Sequence, residues 1–296
     1  MTPLLPGPDY PAPAKLNLFL HVTGRRPDGY HLLQTVFRFI DYGDTLRFRV
    51  LDDGVIARVN ELADVPAEAD LCVRAARLLQ QHTHCKLGAD IELDKKLPMG
   101  GGLGGGSSDA ATVLLVLNKL WKAGLSRAEL QALGLQLGAD VPVFLFGQNA
   151  FAEGVGEQLQ AITLAPAWYV VLQPPVMVFT PQVFSAPELT RNTKTIKISD
   201  FSSVAQCFAD EDGFHNDLQP VVEAKYPEVA AHLAWLDAQA KKINSRAHMT
   251  GSGACVFAQC ATREEAEKIF AALPKGMQGF VAKGLDRHPL LDLAER

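Results

Sequence analysis

Residues 100–108 read Gly-Gly-Gly-Leu-Gly-Gly-Gly-Ser-Ser, so six of the first seven positions are glycine. Such a run is unfavourable inside a strand or a helix, because each glycine loses much backbone entropy on folding and adds no side chain to the packing. The sequence around Ile91 and Leu93 alternates like a strand, and the apolar stretch 110–121 has the length of a buried helix. A glycine loop between them would direct several backbone N–H groups at one point, where the helix dipole favours negative charge. The run therefore predicts a phosphate-binding loop.

Other functions of a glycine run fit this sequence less well. A flexible linker would not lie between two apolar segments. Gly100, Gly102 and Gly105 satisfy the dinucleotide-binding pattern G-x-G-x-x-G, but residues 120–125 lack the acidic residue that this fold has about 20 positions on. A P-loop NTPase would have a lysine where this loop continues into Ser107. Three signatures of protein kinases are also missing, namely the lysine of a Val-Ala-Ile-Lys strand, His-Arg-Asp and Asp-Phe-Gly.

The composition indicates a globular enzyme. The chain has 296 residues, of which 48% are hydrophobic, enough for a sizeable core and for two domains. Its formal charge of -5 provides no global basic field, so nucleic acid is not an expected partner. No window of 18 apolar residues and no secretory signal pattern is present, which predicts a cytoplasmic protein that does not interact with a membrane. The five cysteines form no C-x-x-C pair, so neither a disulfide framework nor a zinc cluster is expected.

Hydrophobic patterns predict the other elements. Segments 16–22 and 35–40 are rich in β-branched and aromatic residues, which predicts two strands. Segments 45–51 and 55–59 flank Asp52-Asp53-Gly54, so a tight hairpin is expected between them. Helices are expected at 70–81, after the cap residue Ser126, at 227–240 and at 262–273, and short strands at 255–258 and 279–282.

Three segments together resemble the GHMP kinases, the superfamily of galactokinase, homoserine kinase and mevalonate kinase. They are Pro98-Met99-Gly100-Gly101-Gly102-Leu103-Gly104-Gly105-Gly106-Ser107-Ser108, Pro13-Ala14-Lys15-Leu16-Asn17-Leu18 and Thr250-Gly251-Ser252-Gly253-Ala254-Cys255. The resemblance implies a two-domain α+β fold. Residues 1–165 would form a ribosomal-protein-S5-like domain that carries the ATP loop, and residues 166–296 a ferredoxin-like domain that contributes to the substrate site.

The same resemblance implies the cofactors. ATP would be bound by Pro98, Met99, Gly100, Gly101, Gly102, Leu103, Gly104, Gly105, Gly106, Ser107 and Ser108. A serine hydroxyl at the end of this loop would contact phosphate or Mg²⁺, whose full ligand set the sequence does not identify. The glycine segment 251–253, which could also be a simple turn, would lie against the phosphate loop and close the site.

Five segments are similar to sequences of one branch of the superfamily. The kinases of that branch act on a small-molecule alcohol that carries a cytidine diphosphate group. The five segments are Ala14-Lys15-Leu16-Asn17-Leu18, Arg26-Pro27-Asp28-Gly29-Tyr30-His31, the glycine loop itself, Leu137-Gly138-Ala139-Asp140-Val141-Pro142 and Phe151-Ala152-Glu153-Gly154-Val155-Gly156. The Asp-Gly-Tyr-His segment separates this branch from its relatives. The resemblance thus implies an ATP-dependent kinase, as a monomer or a homodimer.

Asp140 is the candidate catalytic residue, because an aspartate can accept the hydrogen bond of the attacking hydroxyl in phosphoryl transfer. Followed by Val141-Pro142, it would equally suit the N-cap of a helix. Lys15 begins an apolar strand and would usually be solvated, but the resemblance places it beside Asp140. There the ammonium would favour the carboxylate form and stabilise charge on the transferred phosphoryl group. Whether Asp140 removes the proton or only positions the hydroxyl stays open at this point.

Tyr30 and His31 follow a turn and would ordinarily be a half-buried aromatic and a solvated histidine. In the resembled branch this pair meets the cytidine, since a tyrosine ring can stack on the base and a histidine nitrogen can bond to its edge. Phe184, by itself a core residue, is implied as the opposite wall, and Asn17 as a further substrate contact. A kinase for another alcohol and a non-catalytic nucleotide-binding module remain as alternatives, the second disfavoured by the two candidate catalytic residues.

Overall fold

The computed structural model describes residues 4–62, 65–197 and 214–294. Its strands are β1 (Tyr10–Arg25), β2 (His31–Leu51), β3 (Ile56–Arg58), β4 (Gly88–Asp94), β5 (Ala150–Glu153), β6 (Gln158–Ala161), β7 (Trp168–Leu172), β8 (Ala247–Met249), β9 (Val256–Cys260) and β10 (Gly279–Lys283). Its α-helices are α1 (Leu71–Thr83), α2 (Gly105–Leu120), α3 (Arg127–Leu137), α4 (Val141–Phe146), α5 (Thr180–Phe184), α6 (Gln219–Lys225), α7 (Pro227–Ala240) and α8 (Arg263–Ala271). Within these ranges no helix is long and apolar enough to cross a membrane.

Strands β1 to β6 form the first sheet, in the order β3-β4-β2-β5-β6 with β1 also paired to β2. Side chains alternate along a strand, so Lys15 and Asn17 share one face of β1 and Leu16 lies on the other. The register places Lys15 opposite Phe39 and Asn17 opposite Phe37. Both phenylalanines belong to the core under helices α1 to α4, whereas Leu16 belongs to a different apolar cluster. Two polar side chains of β1 therefore point toward the helix-covered face.

The prediction of a tight hairpin around Asp52-Asp53-Gly54 is wrong. Strand β4 lies between β2 and β3, antiparallel to the first and parallel to the second. Seven residue pairs join β4 to β2, from Thr45↔Asp94 to Leu51↔Gly88. Strand β4, and not β3, is therefore the neighbour of this part of β2. The Asp-Gly signal marks a reversal of the chain, but it does not say which strand will occupy the neighbouring position.

Strands β7 to β10 form a second, four-stranded antiparallel sheet in the order β10-β7-β9-β8. Helices α5 to α7 come between β7 and β8, and α8 comes between β9 and β10, which gives the βαββαβ sequence of a ferredoxin-like unit. The two sheets meet in one apolar cluster, to which the first contributes Leu16 and Val36 and the second Val171 and Phe257. The expected α+β fold is confirmed.

The expected helices and their caps are present. The Asp70 side chain accepts a hydrogen bond from a first-turn backbone N–H of α1, and Ser126 and Thr262 each form a capping box. The helix after the glycine run begins inside the run, at Gly105, because Gly104 takes the left-handed conformation at the N-cap. The loop and the helix are thus one continuous element.

Candidate active site

The glycine run is a compact loop that ends in helix α2. Gly100, Gly102 and Gly104 have φ values of 66°, 73° and 72°, in the left-handed region that favours glycine. Gly104 supplies no side-chain cap, and the first N–H groups of any helix have no partner within the helix. These N–H groups and the positive end of the helix dipole make this end of α2 suited to bind an anion.

The segment 250–255 lies against this loop, as the resemblance implied. The N–H groups of Ala254 and Cys255 donate to the carbonyl oxygens of Gly100 and Gly101, each at 3.1 Å. A Cβ atom on Gly102 would stand 2.1 Å from the carbonyl oxygen of Thr250. The loop and the second glycine segment therefore approach each other at a distance that only glycine permits.

Gly102→Ala is expected to raise the KM for ATP at least about tenfold, because the added Cβ must push the Thr250 backbone away from the loop. Gly124→Ala is the matched control, since Gly124 has the same φ of 73° but nothing within 4 Å of an added Cβ. Both variants should lose about 1–2 kcal/mol of unfolding free energy from left-handed alanine. Steady-state kinetics and thermal unfolding separate the two effects, and an equal KM in both variants would contradict the close approach.

A cleft of about 400 Å³ opens beside the loop, within the size range of small-molecule sites. Apolar side chains line it next to the loop, namely Leu62, Val65, Leu71 and Leu93. This combination of an apolar wall and an amide-rich anion site suits a nucleotide, whose base is apolar on its faces and whose phosphates are charged. Sequence reasoning identified the loop but not this wall, because its residues belong to no single helix or strand pattern.

Lys95 lines the same cleft, but its charge is already paired. Its Nζ lies 2.5 Å from Asp44 Oδ2 and 2.7 Å from Asp109 Oδ2. Burial, and then the neighbouring Asp44, raise the pKa of Asp109 to about 8 against the opposing effect of Lys95. Because Asp44 already pairs with the Lys95 charge, the loop amides rather than this lysine are the candidate groups for attracting an anion.

A second cavity of about 690 Å³ adjoins the first, and Asp140 lines both. The residues that sequence reasoning assigned to catalysis and to the substrate all line this second cavity, namely Lys15, Asn17, Tyr30, His31, Asp140 and Phe184. They come from β1, the β1–β2 turn, the first residue of β2, the N-cap of α4 and the end of α5. The fold thus gathers residues that are separated by more than a hundred positions in the chain.

Lys15 is buried, with 2% of its surface exposed, and its Nζ lies 3.1 Å from Asp140 Oδ2 and 2.5 Å from Asn17 Oδ1. Its backbone N–H donates to the carbonyl oxygen of Leu103, which joins β1 directly to the glycine loop. Asp140 is the N-cap residue of α4, yet its side chain makes no capping hydrogen bond. The carboxylate therefore faces Lys15 and the junction of the two cavities.

Asn17 holds Lys15 in place. Its side-chain oxygen accepts from Lys15, its amide nitrogen donates to Thr35 Oγ1 at 3.0 Å, and its backbone N–H donates to Thr250 Oγ1 at 2.9 Å. Thr250 Oγ1 in turn donates to the Gly102 carbonyl oxygen at 3.3 Å. This chain of contacts ties the lysine to the glycine loop. Thr35 was not identified from the sequence, since no local pattern marks it.

The aromatic residues form an open end of the second cavity. The ring centroids of His31 and Phe184 are 4.9 Å apart, tilted by 33°. Tyr30, at 63% exposure, lies at the rim. Arg25 lines the same end, and Arg191 donates its Nε–H to His31 Nε2 at 3.2 Å. Neither arginine was identified from the sequence, because Arg191 lies far from His31 along the chain and Arg25 belongs to no local pattern.

The two serines of the loop have different environments. Ser108 is fully buried and its hydroxyl donates to the Pro13 carbonyl oxygen at 2.7 Å. Ser107 lines both cavities, so it is the serine whose hydroxyl can meet a phosphate. Among the described ranges, no group of three or more His, Cys, Asp or Glu side chains is arranged to hold a metal ion.

The fold and this two-part cleft define a class, the GHMP-type small-molecule kinases. Residues 70–148 match the model of the GHMP kinases N terminal domain, and residues 196–279 match that of the GHMP kinases C terminal. The chain is 61% identical to the 4-diphosphocytidyl-2-C-methyl-D-erythritol kinase of Thiobacillus denitrificans (strain ATCC 25259 / T1), over 96% of this chain and 97% of the relative. It is 60% identical to the kinase of the same name from Nitrosospira multiformis (strain ATCC 25196 / NCIMB 11849 / C 71), over 97% and 94%.

A solved structure agrees with these relatives. The crystal structure of a 4-(cytidine 5'-diphospho)-2C-methyl-D-erythritol kinase superposes with a TM-score of 0.78 at 33% identity, covering 94% of this chain and 99% of that one. The chain therefore belongs to the 4-diphosphocytidyl-2-C-methyl-D-erythritol kinase family of the GHMP kinases. Members of that superfamily are phosphotransferases that use ATP.

Proposed function

We propose that the protein transfers the γ-phosphoryl group of ATP to the 2-hydroxyl of 4-diphosphocytidyl-2-C-methyl-D-erythritol, a step of non-mevalonate isoprenoid precursor biosynthesis. The observation that carries this proposal is the Lys15–Asp140 pair, 3.1 Å apart, at the junction of a phosphate-binding cleft and a cavity with aromatic residues at its end. The family of the chain supports the choice of substrate. The products are the 2-phosphate and ADP.

The first cavity binds ATP. The phosphates lie against the loop 98–108 and the N-terminal end of α2, and the base lies on the apolar wall of the cleft. Ser107, which lines the cleft, would contact a phosphate oxygen or the Mg²⁺ that accompanies it. Bound Mg²⁺ would neutralise charge on the phosphates. Ser107 and Asp109, which line this cleft, carry oxygen atoms, the type of ligand that Mg²⁺ prefers.

Asp140 and Lys15 act on the acceptor hydroxyl and on the transferred group. Asp140 accepts the hydrogen bond of the hydroxyl and aligns its oxygen with the γ-phosphorus. As the new O–P bond forms and the bond to the β-phosphate oxygen breaks, the hydroxyl proton passes to the Asp140 carboxylate. Lys15, held by Asn17, stabilises the negative charge on the equatorial oxygens of the phosphoryl group. No covalent intermediate with the protein is required.

The second cavity binds the cytidine diphosphate part of the substrate. Tyr30 and Phe184 flank the base, and His31 bonds to its polar edge. Asn17 lines the path from the base to the pair Lys15 and Asp140. The enzyme works in the cytoplasm as a monomer or a homodimer, and its two domains divide between residues 165 and 166, in the connection from β6 to β7.

The assay is ADP release with 4-diphosphocytidyl-2-C-methyl-D-erythritol, compared with mevalonate, homoserine and galactose at equal concentration. Turnover is expected only with the cytidylated alcohol, since the other three have no group for the aromatic cavity. The product is checked for phosphate on the 2-oxygen by phosphorus NMR. Turnover with only one of the other three would refute the substrate and leave the kinase class intact.

A further inference from the structure

Arg191 is the residue on which the aromatic end of the second cavity is assembled. Its Nη2 donates to the carbonyl oxygens of Phe184 at 2.9 Å and Ala186 at 2.7 Å, and its Nη1 donates to that of Leu189 at 3.0 Å. Its Nε–H donates to His31 Nε2 at 3.2 Å. The Arg191 guanidinium thus connects the backbone of Phe184 with the side chain of His31.

The contact with His31 has a definite chemical consequence. A guanidinium has five N–H donors, no acceptor, and does not lose its proton in proteins. The Nε2 atom of His31 must therefore be the acceptor, so it carries no proton. In a neutral imidazole one nitrogen donates and the other accepts, which places the proton of His31 on Nδ1.

Burial and the two neighbouring arginine charges favour the neutral form of the His31 ring. Partial burial, followed by the charges of Arg191 and Arg25, lowers the pKa of His31 below its ordinary value near 6.5. At pH 7 the ring is then uncharged and holds a single proton. Since Nε2 is occupied by Arg191, Nδ1–H is the only polar group of the ring that remains for a ligand.

A fixed donor distinguishes two pyrimidines. Cytosine has an acceptor at N3, whereas uracil has an N–H at the same position. A donor directed at N3 therefore bonds to cytosine and meets another donor in uracil, which leaves two N–H groups unpaired at a cost in free energy. A histidine that was free to exchange tautomers could accept from uracil N3–H and would lose this discrimination.

We propose that Arg191 is a positioning residue that holds His31 as the Nδ1–H tautomer and so makes the cavity select cytosine over uracil nucleotides. This inference rests on the proposed function, because it assumes that a cytidine group occupies the second cavity. It goes beyond that function in naming the residue and the hydrogen-bond polarity that set the choice of base.

The first test is the tautomer of His31 in the ligand-free protein, measured from the ¹⁵N shifts and the ¹⁵N–¹H correlations of its ring at pH 7.5. A pyrrole-like Nδ1 and a pyridine-like Nε2 are expected in the wild type. Arg191→Met should shift the ring to a mixture of tautomers, because methionine offers no N–H donor to Nε2. A pyridine-like Nδ1 in the wild type would overturn the proposal.

The second test is the affinity for cytidine 5′-diphosphate and uridine 5′-diphosphate, measured by calorimetry with the ATP cleft saturated by a non-hydrolysable ATP analogue. Arg191→Met is expected to weaken binding of the cytidine compound about tenfold and to strengthen that of the uridine compound, because a His31 freed from Arg191 can accept from uracil N3–H. Lys194→Met, which removes an exposed positive charge from the same segment, is the matched control and should change neither. Unchanged discrimination in a folded Arg191→Met would overturn the proposal.

These readouts separate this inference from the proposed function. If the wild type phosphorylates the cytidylated alcohol but His31 is the Nε2–H tautomer, the inference fails and the function stands. If the protein does not phosphorylate that alcohol and binds both nucleotides equally, the function and the selection of cytosine both fail, whatever the tautomer of His31.

Discussion

Asp140→Asn is expected to lower kcat by about 10²–10⁴-fold while the dissociation constants of ATP and of the cytidylated substrate change little. The amide has the size of the carboxylate and can still accept a hydrogen bond, but it carries no charge and cannot take the hydroxyl proton. Helix α4 should persist, because the Asp140 side chain makes no capping bond to it. Steady-state kinetics and calorimetric titrations with each substrate measure the two effects separately.

The same change tests how the ion pair contributes to stability. It leaves the buried Lys15 ammonium with the neutral Asn17 oxygen, so a lower melting temperature is expected. The loss should be moderate, because 38% of the Asp140 side chain is exposed and water can approach. Asp52→Asn, in the exposed turn after β2, is the matched control and should leave both kcat and the melting temperature unchanged. Near-normal kcat in Asp140→Asn would refute the assigned mechanism.

Lys15→Met is expected to lower kcat by about 10²–10³-fold, the usual effect of removing one group that stabilises transition-state charge. Methionine can follow much of the lysine stem, which passes close to Gly104 and places Nζ 5.4 Å from the centre of the Phe37 ring. The variant therefore keeps the packing and removes the charge. Single-turnover measurements at saturating ATP would report the chemical step directly.

This variant should differ from Asp140→Asn in its stability. Removing Lys15 leaves a partly exposed carboxylate that water can solvate, rather than a buried charge without a partner. The melting temperature should therefore change less than in Asp140→Asn. Lys119→Met, which removes an exposed lysine near the end of α2, is the control for net charge. Equal turnover in Lys15→Met and Lys119→Met would show that the lysine is not part of the chemistry.

Local features of the fold could be predicted because their causes are local. The glycine run requires a loop whatever surrounds it, and three of these glycines do take left-handed backbone conformations. Asp70, Ser126 and Thr262 cap the helices that follow them, since a cap needs only the next few residues. The β2–β3 hairpin was wrong because strand pairing depends on a third strand that arrives about 40 residues later.

The candidate site also has features that the sequence could predict and features that it could not. The sequence alone determined that a glycine loop precedes helix α2 and predicted that it binds phosphate, and its resemblance to GHMP kinases indicated Lys15 and Asp140 as a pair. Only the tertiary structure decided that Asn17 is occupied in holding Lys15, that Ser107 rather than Ser108 faces the cleft, and that Arg191 contacts His31. The physical reason is the distance along the chain over which each feature is determined. Backbone conformation depends on residues that are neighbours in the chain. Hydrogen-bond partners and burial depend on segments that only the packing of the two sheets brings together.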